Sequence, residues 1–297
     1  MSSIPRHCEL LQDAGDAARL EMCVLASGSG GNCTIMRHGA FSMLMDAGLG
    51  PRTIARRLAT ARAGLNDLGA VVVTHLDQDH FRPTWVSALL RLQLPLFLHR
   101  WHDDDLARVP GSVRLRRAGL VTAFGDEPFE PVPGMTLHPI RLAHDQKGTC
   151  GFRVEAESDR LGYATDLGHV PQRLVTHFTD VELLAIESNY DPHLQRSSGR
   201  PIFLQRRIMG RAGHLSNEQA FAAVREILGR SERGNPRTVV LLHRSAQCNR
   251  PRLIHDMFAQ DERLANRVVL AEQRRITQWL KCGHADSLTG NQLDFRF

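Results

Sequence analysis

Four of the six residues from His75 to His80 carry metal-binding side chains: His75, Asp77, Asp79 and His80. They follow directly on the apolar run Ala70–Val73, which reads as a buried strand. A strand end holds its loop rigidly, and a loop can turn alternate side chains toward one point. One short segment could therefore ligate two neighbouring cations. An Asp-rich surface loop has a similar composition, but three further strand ends also carry ligand types. His144 follows the run 135–143, Asp166 follows 160–165, and His243 closes 238–242. A lone histidine would carry little weight. Four such groups, all at C-terminal strand ends that can converge in one sheet system, carry much more.

The elements that must position them are legible as short runs rich in Val, Ile and Leu. These cover 22–26, 33–36, 41–45, 70–74, 94–98, 135–143, 151–156, 160–165, 181–187, 238–243 and 267–271. Helical patterns lie between them over 83–93, 217–229, 251–265 and 273–280. The second of these opens after Ser216 as a cap candidate and stops at Gly229. Paired strands followed by strand–helix alternation predict mixed sheets covered by helices. The simplest partition is a lead-in over 1–20, one domain over 21–280 and a tail over 281–297.

The chain has 297 residues and a formal net charge of +5; 42% hydrophobic and 23% charged content argue against a largely disordered chain. No window approaches the roughly 18 uninterrupted apolar residues of a membrane span. The first twenty residues carry Glu9, Asp13 and Asp16 and no long apolar stretch, so no secretory signal is read. A cytoplasmic protein is predicted, without membrane partners. Six cysteines without a CxxC pair read as reduced thiols, not as disulfides or a thiolate zinc site.

Around the candidate ligands stand Leu25-Ala-Ser-Gly-Ser-Gly-Gly-Asn32, Asp46-Ala-Gly-Leu49, Ala164-Thr-Asp-Leu-Gly-His169, Glu187-Ser-Asn189, Gly213-His-Leu-Ser-Asn217 and Leu242-His243. With His75-x-Asp77-x-Asp79-His80, this ordered set resembles the metallo-β-lactamase superfamily. Within it, the set resembles the YycJ/WalJ-like branch, whose studied members are DNA exonucleases. The resemblance runs from about residue 22 to 255. It implies an α/β four-layer αββα sandwich with two divalent metal ions at the sheet edges. His75, Asp77 and His144 would hold one ion, Asp79, His80 and His243 the other, and Asp166 would bridge them. It further implies a dinuclear phosphodiester hydrolase acting on nucleic acid, DNA above all. A phosphodiesterase for RNA or small cyclic phosphates is the alternative enzyme.

One position departs from the family pattern: Asp77 stands where the family has His. A third carboxylate leaves the ion pair with less net positive charge, and its harder oxygen favours Mn²⁺ over Zn²⁺. The opposing reading is a degenerate site in a metal-poor binding or scaffold protein. For catalysis, Asp79 is expected to orient the nucleophile, and His214 to bind oxygen or donate a proton at the scissile phosphate. Gly213–Asn217 precedes a helix whose free N–H groups would favour an anion, which makes Ser216 and Asn217 candidate substrate contacts. Asn189, His169 and Arg207 complete the candidate substrate residues. Arg207 belongs to a cluster with Arg206 and Arg211 before His214; a second cluster, Arg244, Arg250 and Arg252, follows His243. Asp46 is a candidate to orient a ligand. The Gly-rich stretch Ser27–Asn32 joins two strands, so it reads as a hairpin turn and not as a nucleotide loop.

Overall fold

The computed structural model describes residues 18–283. The expected lead-in and tail fall almost wholly outside that range; within it, Leu20 already opens the first strand and Lys281 closes the last. The N-terminal half comprises β1 (Leu20–Ala26), β2 (Cys33–His38), β3 (Phe41–Met45), α1 (Pro51–Thr60), β4 (Leu68–Val72), α2 (Trp85–Leu92), β5 (Leu96–His99), α3 (Asp103–Arg108), α4 (Ser112–Arg117) and β6 (Val121–Phe124). Next come β7 (Phe129–Val132), β8 (Met135–Leu142), β9 (Thr149–Ala156), β10 (Asp159–Ala164), α5 (Gln172–His177), β11 (Leu183–Glu187), α6 (Pro192–Arg196) and α7 (Ile202–Met209). The described chain closes with α8 (Asn217–Arg230), β12 (Thr238–Leu242), α9 (Pro251–Phe258), β13 (Val268–Leu270) and β14 (Leu280–Lys281).

The strands form two seven-stranded sheets, ordered β14-β1-β2-β3-β4-β5-β6 and β13-β12-β11-β10-β9-β8-β7. Each sheet is mixed: β3 to β6 and β10 to β13 run parallel, while β1 to β3 and β7 to β10 are antiparallel. The central strands β4, β11 and β12 read as apolar runs because both of their faces are buried. In β4, Ala70 and Val72 face the space between the sheets, while Val71 faces the helices. In β12, Val240 and Leu242 face inward and Val239 and Leu241 outward. Ile54 and Leu58 of α1 with Trp85 and Leu89 of α2 cover the first sheet. Leu174 of α5, Val224 and Ile227 of α8 and Ile254 of α9 cover the second. Burying each such side chain contributes about 1.5–3 kcal/mol, which makes both sheets stiff scaffolds. The architecture is the αββα sandwich.

Two helix expectations are corrected. Residues 273–275 form a bend, and the chain from Ile276 to Leu280 runs beside β1 without forming a helix. The Thr277 N–H donates to the Val24 carbonyl at 3.0 Å, Val24 N–H donates to Thr277 Oγ1 at 2.9 Å, and Trp279 Nε1–H donates to the Ala61 carbonyl at 2.9 Å. The spacing of Ile276, Trp279 and Leu280 imitates a helix, but Ile276 and Trp279 pack under the outer helices and Leu280 packs between the sheets. The helix expected over 251–265 stops at Phe258, where a turn to Asp261 begins. Among the described residues no helix is long and apolar enough to cross a membrane. The five described cysteines are free and buried.

Candidate metal centre and active site

Six strands end around one point: β3 at Asp46, β4 before His75, β8 before His144, β10 before Asp166, β11 at Glu187 and β12 before His243. Asp46, Asp166 and His243 adopt left-handed backbone, with φ of 64°, 53° and 52°. Such conformations cost on the order of 1–3 kcal/mol each and persist only where the surroundings enforce them. The enforcement is visible. His243 N–H donates to Ser27 Oγ at 2.7 Å, Asp46 N–H to the Val72 carbonyl at 2.8 Å, and the chain after Asp166 is tied by Leu167 N–H to Glu187 at 2.9 Å. The His75–His80 loop is shaped differently, by a turn in which the N–H groups of His80 and Phe81 both donate to the Asp77 carbonyl at 2.8 Å. Gly48 lets the chain after Asp46 pack on this loop, since a Cβ there would lie 1.7 Å from the Asp79 carbonyl oxygen.

All seven residues singled out as ligands meet here. His75 Nε2 lies 3.8 Å from Asp166 Oδ2 and 3.8 Å from Asp77 Oδ2; His243 Nε2 lies 3.5 Å and His80 Nε2 3.9 Å from Asp79 Oδ2. His80 Nε2 is also in close contact with Asp166 Oδ2. One ligand atom each from His75, His144 and Asp166 falls within 4.8 Å of the others, as do those of Asp79, His80 and His243. His75 Nε2, His243 Nε2 and Asp166 Oδ1 are buried without hydrogen-bond partners. Buried polar atoms without partners are costly, and here they converge in two adjacent clusters of imidazole and carboxylate. That donor set fits divalent cations. Asp77 stands somewhat apart, with its side chain 55% exposed against 27% for Asp79. It groups with His144 and Asp145.

The far nitrogens of these rings are fixed by partners that the residue types alone did not reveal. The Thr74 hydroxyl donates to Asp46 Oδ1 at 3.0 Å and lies 3.0 Å from His75 Nδ1. His80 Nδ1–H donates to Asp46 Oδ2 at 2.8 Å, so Asp46 has the orienting position expected of it. His144 Nδ1–H donates to the Gly213 carbonyl at 3.1 Å. In each case Nε2 is left to face the centre. Asn32, from the hairpin turn, reaches the Asp79 carbonyl and His80 Nε2 through its side-chain amide.

Glu187 is the principal residue that motif reading quoted without a role. It is fully buried, its Oε1 lies 2.7 Å from His214 Nδ1, and its Oε2 accepts the N–H groups of Leu167 and Leu215. A buried carboxylate beside two histidines was the available signal. Burial alone would neutralise His214, but the Glu187 and Asp166 carboxylates outweigh it and hold the imidazole well above its ordinary pKa. Burial likewise pushes Asp166 up, yet His243 and His80 hold it well below the carboxylate range. Burial pushes Asp77 up with less compensation; it pushes Asp79 up as well, but the neighbouring His243 and His80 imidazoles bring Asp79 below its ordinary value.

A cleft of about 360 Å³ opens over the centre and is lined by Asp79, His214, Asn189 and Arg207, among others. A gallery of about 810 Å³ continues from it past Asp77 and Arg207. Asn189 Nδ2–H donates to the His243 carbonyl at 2.7 Å. Arg207 forks onto Asp145. The other candidate substrate residues have structural duties. Ser216 Oγ accepts the Gln219 N–H at 3.2 Å, and Gln219 Oε1 accepts the Ser216 N–H at 2.9 Å, closing a capping box on α8. Asn217 is fully buried, bonded to Ser188 and Asn249. His169 Nδ1–H donates to the Arg211 carbonyl at 2.9 Å. None of these three is among the residues lining the cleft or gallery.

The sequence model of the β-lactamase superfamily domain matches residues 42–243. The chain belongs to the metallo-β-lactamase superfamily. It is similar to exodeoxyribonuclease YycJ of Bacillus anthracis, with 26% identity over 214 residues covering 70% of this chain and 78% of the relative. It is also similar to exodeoxyribonuclease WalJ of Streptococcus pneumoniae, with 27% identity over 239 residues covering 78% and 84%. Within the superfamily it is a YycJ/WalJ-like protein and a metal-dependent hydrolase. The metallo-β-lactamase fold protein YhfI of Bacillus subtilis superposes with a TM-score of 0.63 at 14% identity, over 87% of this chain and 99% of that one.

Proposed function

We propose that the protein is a dinuclear metal-dependent phosphodiesterase that degrades DNA exonucleolytically, with one hydrolase domain over residues 21–280. The observation that carries this reading is the convergence of His75 Nε2, His243 Nε2 and Asp166 Oδ1, buried and without hydrogen-bond partners, on two adjacent ligand clusters. His75, Asp77 and His144 would hold one ion, Asp79, His80 and His243 the other, with Asp166 shared. A bound pair of divalent ions supplies a water acidified toward neutral pH and positive charge for the phosphate oxygens. Asp79 orients the attacking water by accepting its hydrogen bond. His214 gives its Nδ1–H to Glu187 and turns its other edge to the cleft, where a protonated imidazole can pass a proton to the leaving oxygen. Arg207 and Asn189 bind and orient the phosphates and sugar that enter the cleft. The DNA preference is supported by the two exodeoxyribonuclease relatives.

The preferred metal is Mn²⁺. Asp77 adds a hard oxygen donor beside His144, where the family has a third nitrogen. The test is a panel of end-labelled DNA, RNA and small diesters with metal-depleted protein reloaded with Mn²⁺ or Zn²⁺. Stepwise shortening of DNA with Mn²⁺ is expected. Preferential cleavage of RNA or of small cyclic phosphates contradicts the DNA reading, and recovery with Zn²⁺ alone contradicts the metal assignment. Substituting Asp77→His should move the preference toward Zn²⁺.

A further inference from the structure

Helix α7 buries none of its residues. At its start Ile202 and Phe203 are 64% and 74% exposed, more than any other large hydrophobic side chain among the described residues. Scattered apolar residues on a surface need no explanation, but an adjacent pair on the helix that lines a catalytic cleft does. Leu204, Arg207 and Ile208 of the same helix line the cleft over the metal centre, while Arg206, Arg207 and Gly210 line the larger gallery. Phe203 precedes Arg206 and Arg207 by three and four positions on α7, so it continues their stripe one turn outward. The gallery is also basic. Asp105 is already engaged by Lys147 at 2.8 Å and by Arg108 at 3.1 Å, and Asp145 by Arg207. Arg206 and Arg211 have no carboxylate partner among the described residues.

An exposed aromatic face next to unpaired guanidinium groups has the chemistry of a single-strand site, with bases stacking on the ring and phosphates running along the cations. A duplex keeps its bases stacked on each other and cannot use Phe203 this way. We propose that α7 is a platform for unpaired DNA, with Phe203 stacking a base and the unpaired Arg206 and Arg211 gripping the backbone, so that the enzyme takes strand ends in single-stranded form. This rests on the nuclease reading above.

The test uses full-length, Mn²⁺-loaded protein and fluorescein-labelled phosphorothioate oligothymidylate, which resists cleavage, with a phosphorothioate hairpin duplex beside it. Fluorescence anisotropy should show Phe203→Ala weakening single-strand binding about tenfold, or about 1.4 kcal/mol, with duplex binding and melting temperature unchanged. Phe203→Trp should restore the loss. Unchanged single-strand binding, or equal weakening for both forms, overturns the platform. So does a dimer, seen by sedimentation equilibrium, that Phe203→Ala dissociates. Turnover of bis(p-nitrophenyl) phosphate by the unsubstituted protein tests the phosphodiesterase reading separately. Its absence strikes that reading, whereas intact turnover with Phe203-independent binding strikes only the platform.

Discussion

The two sheets equip the centre in different ways. The first delivers four candidate ligands in one loop, His75 to His80, shaped by its own turn. The second delivers them singly, spread from His144 to His243, and two of the three sit in left-handed backbone at buried strand ends. A loop can lose a side chain locally. A strand end is tied into the core, and Asp166 in particular touches His75, His80, His214 and His243 from both halves. The contrast teaches that the contiguous motif supplies most of the donors, while the dispersed residues set their relation to one another.

The largest expected effect sharpens that contrast. Asp166→Asn and Asp79→Asn should each lower turnover about a thousandfold or more, roughly 4 kcal/mol of barrier. They should differ in metal content: Asp166→Asn loses both ions, Asp79→Asn keeps one. Equal retention in both variants would break the comparison. Next, His214→Ala should lower turnover by about 10²–10⁴ as a lost proton donor while metal content holds; joint loss of metal would move His214 into the ligand set. Removing an orienting carboxylate, in Asp46→Asn or Glu187→Gln, should lower activity or metal affinity by about 10–100-fold. Asp46→Asn should act on metal affinity and Glu187→Gln on turnover. The smallest effect belongs to Ser216→Ala, which should cost about 1 kcal/mol of stability as a lost helix cap. Its turnover should stay close to that of the unsubstituted protein, as thermal melting and steady-state assays would show.

The parts of the fold legible in the sequence were those buried on both faces. β4, β11 and β12 announce themselves as uninterrupted apolar runs because helices cover one face and the opposing sheet the other. The edge strands β6 and β7 did not. β6 carries exposed Thr122 and Ala123, and β7 carries Glu130 and Pro131, so neither has a strand's hydropathy. α1 was missed because only Ile54 and Leu58 of its ten residues are buried among arginines. The candidate ligands were legible because metal-binding types recur at four strand ends and their order matches a known pattern. The motif around His214 was legible only in part. Gly213 is needed because a Cβ would lie 2.2 Å from the Ile208 carbonyl oxygen, and its own carbonyl accepts His144 Nδ1–H. Ser216 and Asn217, two and three residues after His214, serve the helix and the core instead. Neighbours in sequence thus share a motif without sharing a task, and only the side-chain partners separate them. Glu187 escaped for the opposite reason: its role comes from contact with His214, far away in the chain.

The account stands on two adjacent ion sites joined by Asp166. The most direct measurement is titration of metal-depleted protein with Mn²⁺ by isothermal calorimetry, alongside Asp166→Asn and His243→Ala. The account predicts two equivalents for the unsubstituted protein, one for His243→Ala and none of comparable affinity for Asp166→Asn. Tight binding with the same stoichiometry in all three, or no binding in the unsubstituted protein, would contradict it.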